Sequence, residues 1–509
     1  MLYLLEIDAI TDSIGTSTTL RYTDGNFTTE PGETPANAFY EPRISDPGLI
    51  RRDLFSDRRI IGSSKIGIGD IVLINNDGGL DSIKNYGFDG QLLTLRYGED
   101  DAAYPSGFDT VFSGTVASSQ FNLNTVIFKV RDKQQSLNIP VCDTRYAGDN
   151  SLPNGLEGTP SDIGGSVKPC CFGSVFNISP IFINTSKLTF QVNDGAVNDI
   201  GAVYDRGVSI TKSTNHATSA LLQAATVTAG TYQTCFAEGY FRLGTNPAGL
   251  ITCDVDQGAT AADRTAAKII EAIALQVGLT AGEISSSDIT ALDTANSSVV
   301  GIWIDTDLSA IEALDQVSAS VGAWYGFDTY GVLRMQQTVT PASPTVTLDT
   351  TEIVDIEKVQ AKDSTGGLPF YRVNLKFEKN YSTQSEDLAG AVTAARRAFL
   401  NLEYRTDVSE DTAILTKHLL APELTVETLL TTSANAATES ARLLALHKVE
   451  RDVYQVDVSL NSSLANSLDL GVVVSLVYNR FNLGSGKDFM IIGIDADFSK
   501  SVLKLTLWG

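Results

Sequence analysis

The sequence predicts a mainly β protein with α+β parts, built from several domains. Three observations point to it. Both ends carry short runs in which apolar and polar residues alternate with period two, the signature of half-buried strands. At 509 residues the chain exceeds what one ordinary core accommodates. Apolar stripes of helical period are confined to the middle of the chain and to one later stretch.

The first 150 residues read as strands, "YLLEIDA", "DIVLINN", "QLLTLRYG", "DTVFSGTV" and "TVIFKVRD", separated by Gly, Asp and Asn turns. A linker rich in Gly and Pro follows (Asp149 to Pro169). Residues 165–258 form a second β-rich domain, with "KLTFQV", "VYDRGVSIT", "TYQTCFAEGYFRL" and "GLITCDV". Residues 259–345 form a small α/β unit. Its first helix shows Ile269, Ile270, Ile273 and Val277 on one face and stops at Gly278. Its second carries Leu308, Ile311, Leu314, Val317 and Val321, with Ser309 and Glu312 at capping-box spacing. Strands "VVGIWI", "AWYGFD" and "GVLRMQQ" flank that helix. Strand patterns return in 346–385 and 450–509, which together make a second β-barrel domain around a mostly helical insertion at 386–449. The last of these strands is "SVLKLTLWG", where Leu503, Leu505 and Leu507 alternate with Lys504, Thr506 and Trp508.

Lys and Arg total 37 against 61 Asp and Glu, a formal net charge of −24. Tight nucleic-acid binding needs clustered cations to displace counterions, so this balance argues against it. The opening "MLYLLEIDAI" has no basic n-region, and no apolar run reaches membrane-spanning length. The chain reads as soluble, with synthesis in a cytoplasm.

No residue is assigned a catalytic, cofactor-binding or metal-binding role, and no cofactor is expected. The three histidines, His216, His418 and His447, are far apart, and neither G-x-S-x-G nor H-E-x-x-H occurs. "INNDGGLDSI" has the acidic look of a calcium loop but lacks its frame and terminal Glu, so it reads as a turn. In "GSGK" (Gly484 to Lys487) Asp488 stands where a P-loop needs Ser or Thr, and a hairpin turn is the better reading. Adjacent Cys170 and Cys171 would point to opposite faces of a strand. With Cys142, Cys235 and Cys253 they read as apolar strand residues in a reducing compartment; an iron–sulfur or metal site is the alternative. Cys235 and Cys253 flank a hairpin and could face each other without a bridge being implied. Arg51, Arg52, Arg58 and Arg59 form one basic cluster in a loop-like segment, suited equally to interface ion pairs or to solvent.

Several stretches resemble tail proteins of long-tailed bacteriophages: "FYEPRISDPGLIRRDLF", "GSSKIGIGDIVLINNDGGLDSI", "KPCCFGSVFNISP", "GYFRLGTNPAGLITCDV" and the C-terminal "LDLGVVVSLVYNRFNLGSGKDFMIIGIDADFSKSVLKLTLWG". The family is the baseplate or tail-tip hub, related in fold to the central hub of contractile-tail baseplates. The resemblance implies a homotrimer, each chain supplying two tube-like β-barrel domains. The resulting pseudo-sixfold ring would continue the tail tube, adapt it to a threefold tip or fibre, and line the DNA exit channel. Implied partners are the distal tail or tail-tube proteins, the tape-measure protein and tip or fibre proteins, with only transient DNA passage and no stable membrane insertion. An acidic channel wall would let DNA slide without adhesion. The implied location is the virion tail tip, after assembly in the host bacterial cytoplasm. The rival reading is a carbohydrate- or receptor-binding tail module. No peptidase or lysozyme module interrupts the chain, and no metal is carried over to the Cys-Cys pair.

Overall fold

Alternating burial organises the first strands of the computed structural model, which describes residues 2–55, 67–151, 153–359, 367–459, 464 and 467–509. In Leu2–Ile10 (β1) Leu5, Ile7 and Ala9 are buried while Glu6 and Asp8 are only partly so. There follow Ser17–Thr23 (β2), Phe27–Thr28 (β3), Phe39–Pro42 (β4), Ile44–Asp53 (β5), Ile68–Ile74 (β6), Leu92–Gly98 (β7), Phe108–Phe121 (β8) and Thr125–Asp132 (β9). β5 is a correction, because its Arg51 and Arg52 were expected in a loop. Pro47 and Gly48 disguise the strand, and its register with β6 shifts at Ile44/Asp46 and Asp46/Leu49. Gly48 takes φ +102°, and a Cβ there would lie 2.1 Å from the Asp70 carbonyl oxygen, so the bulge requires glycine.

The second unit comprises Cys170–Ile178 (β10), Ile181–Asn184 (β11), Thr189–Gln191 (β12), Asp199–Asp205 (β13), Val208–Asn215 (β14), Thr231–Cys235 (β15), Tyr240–Leu243 (β16), Ile251–Gln257 (β17) and Gly301–Ile304 (β18), with a short helix Ser219–Ala224 (α1). They form a nine-stranded sheet in the order β11-β12-β16-β15-β14-β13-β17-β10-β18. The linker has no strand or helix between 149 and 169 among its described residues, and Asn184 donates to the carbonyls of Pro153 and Gly155 to hold it on this sheet.

Helices Ala266–Gln276 (α2), Ser286–Ala295 (α3) and Ala310–Ala319 (α4) come next, then the hairpin Ala323–Phe327 (β19) and Leu333–Gln337 (β20). The expected capping box at α4 is present: Ser309 Oγ accepts from Glu312 N at 3.3 Å, and Glu312 accepts from Ser309 N at 3.0 Å. Gly278, φ +99°, follows α2 as the expected stop.

The last third carries Val346–Leu348 (β21), Ile353–Val359 (β22), Arg372–Phe377 (β23), Ala394–Leu400 (α5), Arg405–Glu410 (β24), Ile414–Lys417 (α6), Glu423–Glu427 (β25), Ser433–His447 (α7), Val453–Ser459 (β26), Val473–Leu476 (β27), Lys487–Asp497 (β28) and Val502–Trp508 (β29). β23 was expected among the barrel strands; it pairs instead with β24 and β25 in a three-stranded sheet. Its buried Val373, Leu375 and Phe377 share a core with α2, α4 and α7. β24 and β25 are strands within the stretch read as mostly helical. "RTDVSE" is polar and lacks the apolar alternation that reveals a strand, whereas "ELTVE" alternates Leu424 and Val426 with polar residues but over only five positions, too few to stand out within a helical stretch.

Strands from both ends form one sheet of fifteen, in the order β22-β26-β29-β28-β5-β6-β9-β8-β7-β1-β2-β4-β3, with β27 paired to β28 and β21. The molecule is thus mainly β with α+β parts.

Candidate functional site at the joint of the β wall

β5 and β28 are separated by more than 430 residues and pair antiparallel, with Asp53 opposite Gly493 and Leu49 opposite Asp497. The ladder continues past the strand, where Leu54 N donates to Ile492 O at 2.9 Å. One hydrophobic core runs under both halves. It includes Leu5, Ile7, Ile71 and Phe128 from the first nine strands, and Val456, Phe489, Ile491 and Leu505 from the last ones. Neither half buries its apolar face alone.

Two arginines of the expected cluster staple this joint. Arg51 lies opposite Asp495 and binds its carboxylate through two nitrogens, at 2.6 and 3.0 Å. That bidentate geometry is the strong form of the pair. Arg52 points inward with its side chain 9% exposed, and meets Asp469 at 2.9 Å. It also donates to the Phe327 carbonyl oxygen of β19 at 2.5 Å. Asp469 in turn accepts from Thr329 N at 3.1 Å. One guanidinium therefore ties the first unit, the α/β unit and the last strands together. Arg58 and Arg59 lie outside the described residues.

A second tie comes from Lys133, just after β9, which donates to Glu283 at 2.5 Å and to the Gly331 carbonyl at 3.0 Å. The lysine bond, together with the Thr280 amide, brings the Glu283 carboxyl down to about 2.

The chain end is held from several sides. Asp452 and Gly509 exchange backbone hydrogen bonds at 2.7 and 3.1 Å, and Val453 faces Trp508. Lys487, the lysine of "GSGK", donates to the Gly509 carbonyl at 3.3 Å and pairs with Asp452 at 3.0 Å. That fragment therefore sits at a hairpin, between β27 and β28, as expected. Burial alone would raise the Asp452 carboxyl, but Lys358 and Lys487 outweigh it and hold the carboxyl low. The Trp508 ring lies under the Arg451 guanidinium at 5.1 Å. It belongs to a satellite cluster with Leu54, Phe55, Trp324, Leu446, Met490 and Ile492. Trp324 presses against Gly471, where φ is +82° and a Cβ would fall 2.2 Å from the ring.

The residues weighed for chemistry are dispersed. His216 bonds Gln233 at 2.9 Å, His418 meets Glu450 at 3.4 Å, and His447 stands edge-on to Phe370 at 5.9 Å. Among the described residues no group of three His, Cys, Asp or Glu is placed to hold a metal. The loop "INNDGGLDSI" is a turn held by Arg43, which binds Asp77 at 2.7 Å, and by Asn75 bonded to Asp81 at 2.9 Å. Cys170 and Cys171 do face opposite sides, one in the core of the helical unit and one in that of the nine-stranded sheet. Of the five cysteines read as apolar strand residues, Cys142 lies outside the strands and packs against Cys170 of β10, their Cα atoms 6.1 Å apart. Their 28-residue separation crosses the linker, so local spacing gives no sign of this contact. Cys171, Cys235 and Cys253 are buried and free. Burial pushes the Cys171 and Cys253 thiols up, away from the thiolate form a metal or cluster requires.

Neither a protein-family model nor a curated protein matches the chain. Among solved structures it is similar to a 43 kDa tail protein of prophage MuSo2 from Shewanella oneidensis, at 12% identity and TM-score 0.43, over 100% of this chain and 98% of that one. It is also similar to a tail protein from Neisseria meningitidis MC58, at 12% identity and TM-score 0.43, over 99% and 96%. A chain of a native gene transfer agent virion aligns at 16% identity and TM-score 0.44, over 72% of this chain and 91% of that one. No residue role is taken from these likenesses.

Proposed function

We propose that this chain is a structural, non-enzymatic protein of a bacteriophage-type tail, the baseplate or tail-tip hub. In this reading two wall domains, about residues 2–132 and 346–359 with 453–508, act as the tube-like units. Three chains would close a pseudo-sixfold ring around the DNA exit channel. Distal tail or tube proteins and the tape-measure protein would lie on one side, and tip or fibre proteins on the other. The observation that carries it is the β5–β28 pairing, which makes one continuous wall over one core from the two ends of the chain. The sequence resemblance, densest at those same two ends, supports it. The outward-facing cations near the joint are neutralised in pairs, Arg51 with Asp495 and Lys504 with Asp457. A wall of that kind offers DNA few free cations and suits transient passage.

The carbohydrate-binding reading is weaker on one observation. Trp303, Trp324 and Trp508 are 8%, 6% and 5% exposed and offer no indole face for sugar stacking, which leaves Phe39, Tyr330 and Phe481 as the exposed rings among the described residues. Mass photometry of the purified protein, with electron microscopy of particles carrying it, tests the proposal. Trimers and density at the tail tip are expected. A persistent monomer that binds glycans would overturn it.

A further inference from the structure

A cavity lies where the wall, the α/β unit and α7 meet, lined in part by Leu54, Phe55, Trp324 and Leu446 of the satellite cluster described above. Its walls include Phe55 after β5, Ser318 of α4, Trp324 of β19, Thr338 after β20, and Leu443 and Leu446 of α7. Its volume for water-sized contents is about 50 Å³, space for roughly three or four waters.

Three polar atoms at this one cavity are buried and lack a hydrogen-bond partner: Trp324 Nε1, Ser318 Oγ and Thr338 Oγ1. Their residues are 6%, 3% and 3% exposed. Buried groups of this kind are seldom left unpaired, because burial without a partner destabilises the fold. Ser318 is informative, since a helical serine can turn onto the carbonyl four residues back. Ser320 does so, bonding Gln316 O at 2.7 Å, whereas Ser318 does not. The indole N–H only donates, so whatever meets it must bring an acceptor. The neighbouring charges do not favour an ion: Asp315 on the wall accepts from Tyr325 at 2.8 Å, and Arg442 is bound to Glu439 at 2.6 Å.

From these observations we infer that the cavity is a binding site for a neutral small molecule of a few heavy atoms, with an apolar body and one hydrogen-bond-accepting oxygen, the class of short alcohols and amides. The Trp324 N–H donates to that oxygen, the two hydroxyls bond its polar end, and Phe55, Leu443 and Leu446 enclose its body. The inference does not rest on the tail assignment.

Full-length protein labelled with 5-fluorotryptophan, titrated with 2-propanol and with acetamide and followed by ¹⁹F NMR, tests it. Trp303, in the core of the nine-stranded sheet, serves as internal reference. The expected result is a saturable shift of the Trp324 signal with Trp303 unmoved. Ser318→Ala combined with Thr338→Val should weaken binding about tenfold or more while leaving thermal stability equal or higher. A non-saturating shift shared by Trp303, or undiminished binding by a folded double variant, would overturn the proposal. A crystal of the unmodified protein soaked in 2-propanol decides it independently of any variant: alcohol density against Trp324 Nε1 supports the site, and waters alone on the three groups refute it.

Discussion

At the scale of single residues, the joint depends on a few contacts whose loss is measurable. Gly471→Ala would place a methyl into the Trp324 ring at a left-handed φ. It should destabilise the protein by roughly 1–3 kcal/mol, read as a lower urea midpoint at unchanged slope. Arg52→Met leaves Asp469 without its cation and the Phe327 carbonyl without its donor. The expected cost is about 3 kcal/mol, and a double-mutant cycle with Asp469→Asn should return most of it as coupling. Glu283 gives a pH signature. Its carboxyl titrates near 2 in the folded chain and near ~4.3 when unfolded. A depressed folded value means stability that is complete above the unfolded value and is lost as pH falls through the folded one. The melting temperature of the native chain should therefore drop from about pH 4 toward 2 more steeply than that of Glu283→Gln. Parallel curves would show that the Lys133 bond contributes nothing.

At the scale of elements, β29 is the strand most exposed to test. Leu507 and Trp508 are buried, and β29 pairs with β26 on one side and β28 on the other. Removing Leu507 to Gly509 strips two core side chains, at ~1.5–3 kcal/mol each, and opens the ladder beside the joint. Loss of assembled rings is expected, and intact rings of truncated protein seen by electron microscopy would refute the role given to this strand. Elements with strong local signals were legible beforehand. The Leu alternation of β29, the capping box of α4 and the Gly278 stop all depend on residues within a few positions of one another. β5 was not legible, because its bulge interrupts the alternation and its partner lies at the other end of the chain. β24 and β25 were missed because both strands are short and present mostly polar side chains.

At the scale of the whole molecule, one shared core makes a firm expectation. The two ends of the chain should unfold together, since Leu5 and Ile71 from one end pack in the same cluster as Val456 and Ile491 from the other. Hydrogen exchange should show the amides of β5 and β28 opening in the same event; independent opening of the two halves would contradict a single wall.

Read alone, the residue order determined the β-rich class, the helical middle, the acidic balance and the turn nature of the "GSGK" and "INNDGGLDSI" fragments. Period, caps and turn residues act over a few positions, so they can be read without a fold. Only the tertiary structure decided that the two ends form one sheet, that Arg51 and Arg52 face Asp495 and Asp469, and that Cys142 lies against Cys170. It also decided that β23 leaves the wall for the sheet beneath α7. Those choices are made by burial of a common apolar face across hundreds of residues. A strand's own sequence specifies which side it buries but not which distant edge it joins.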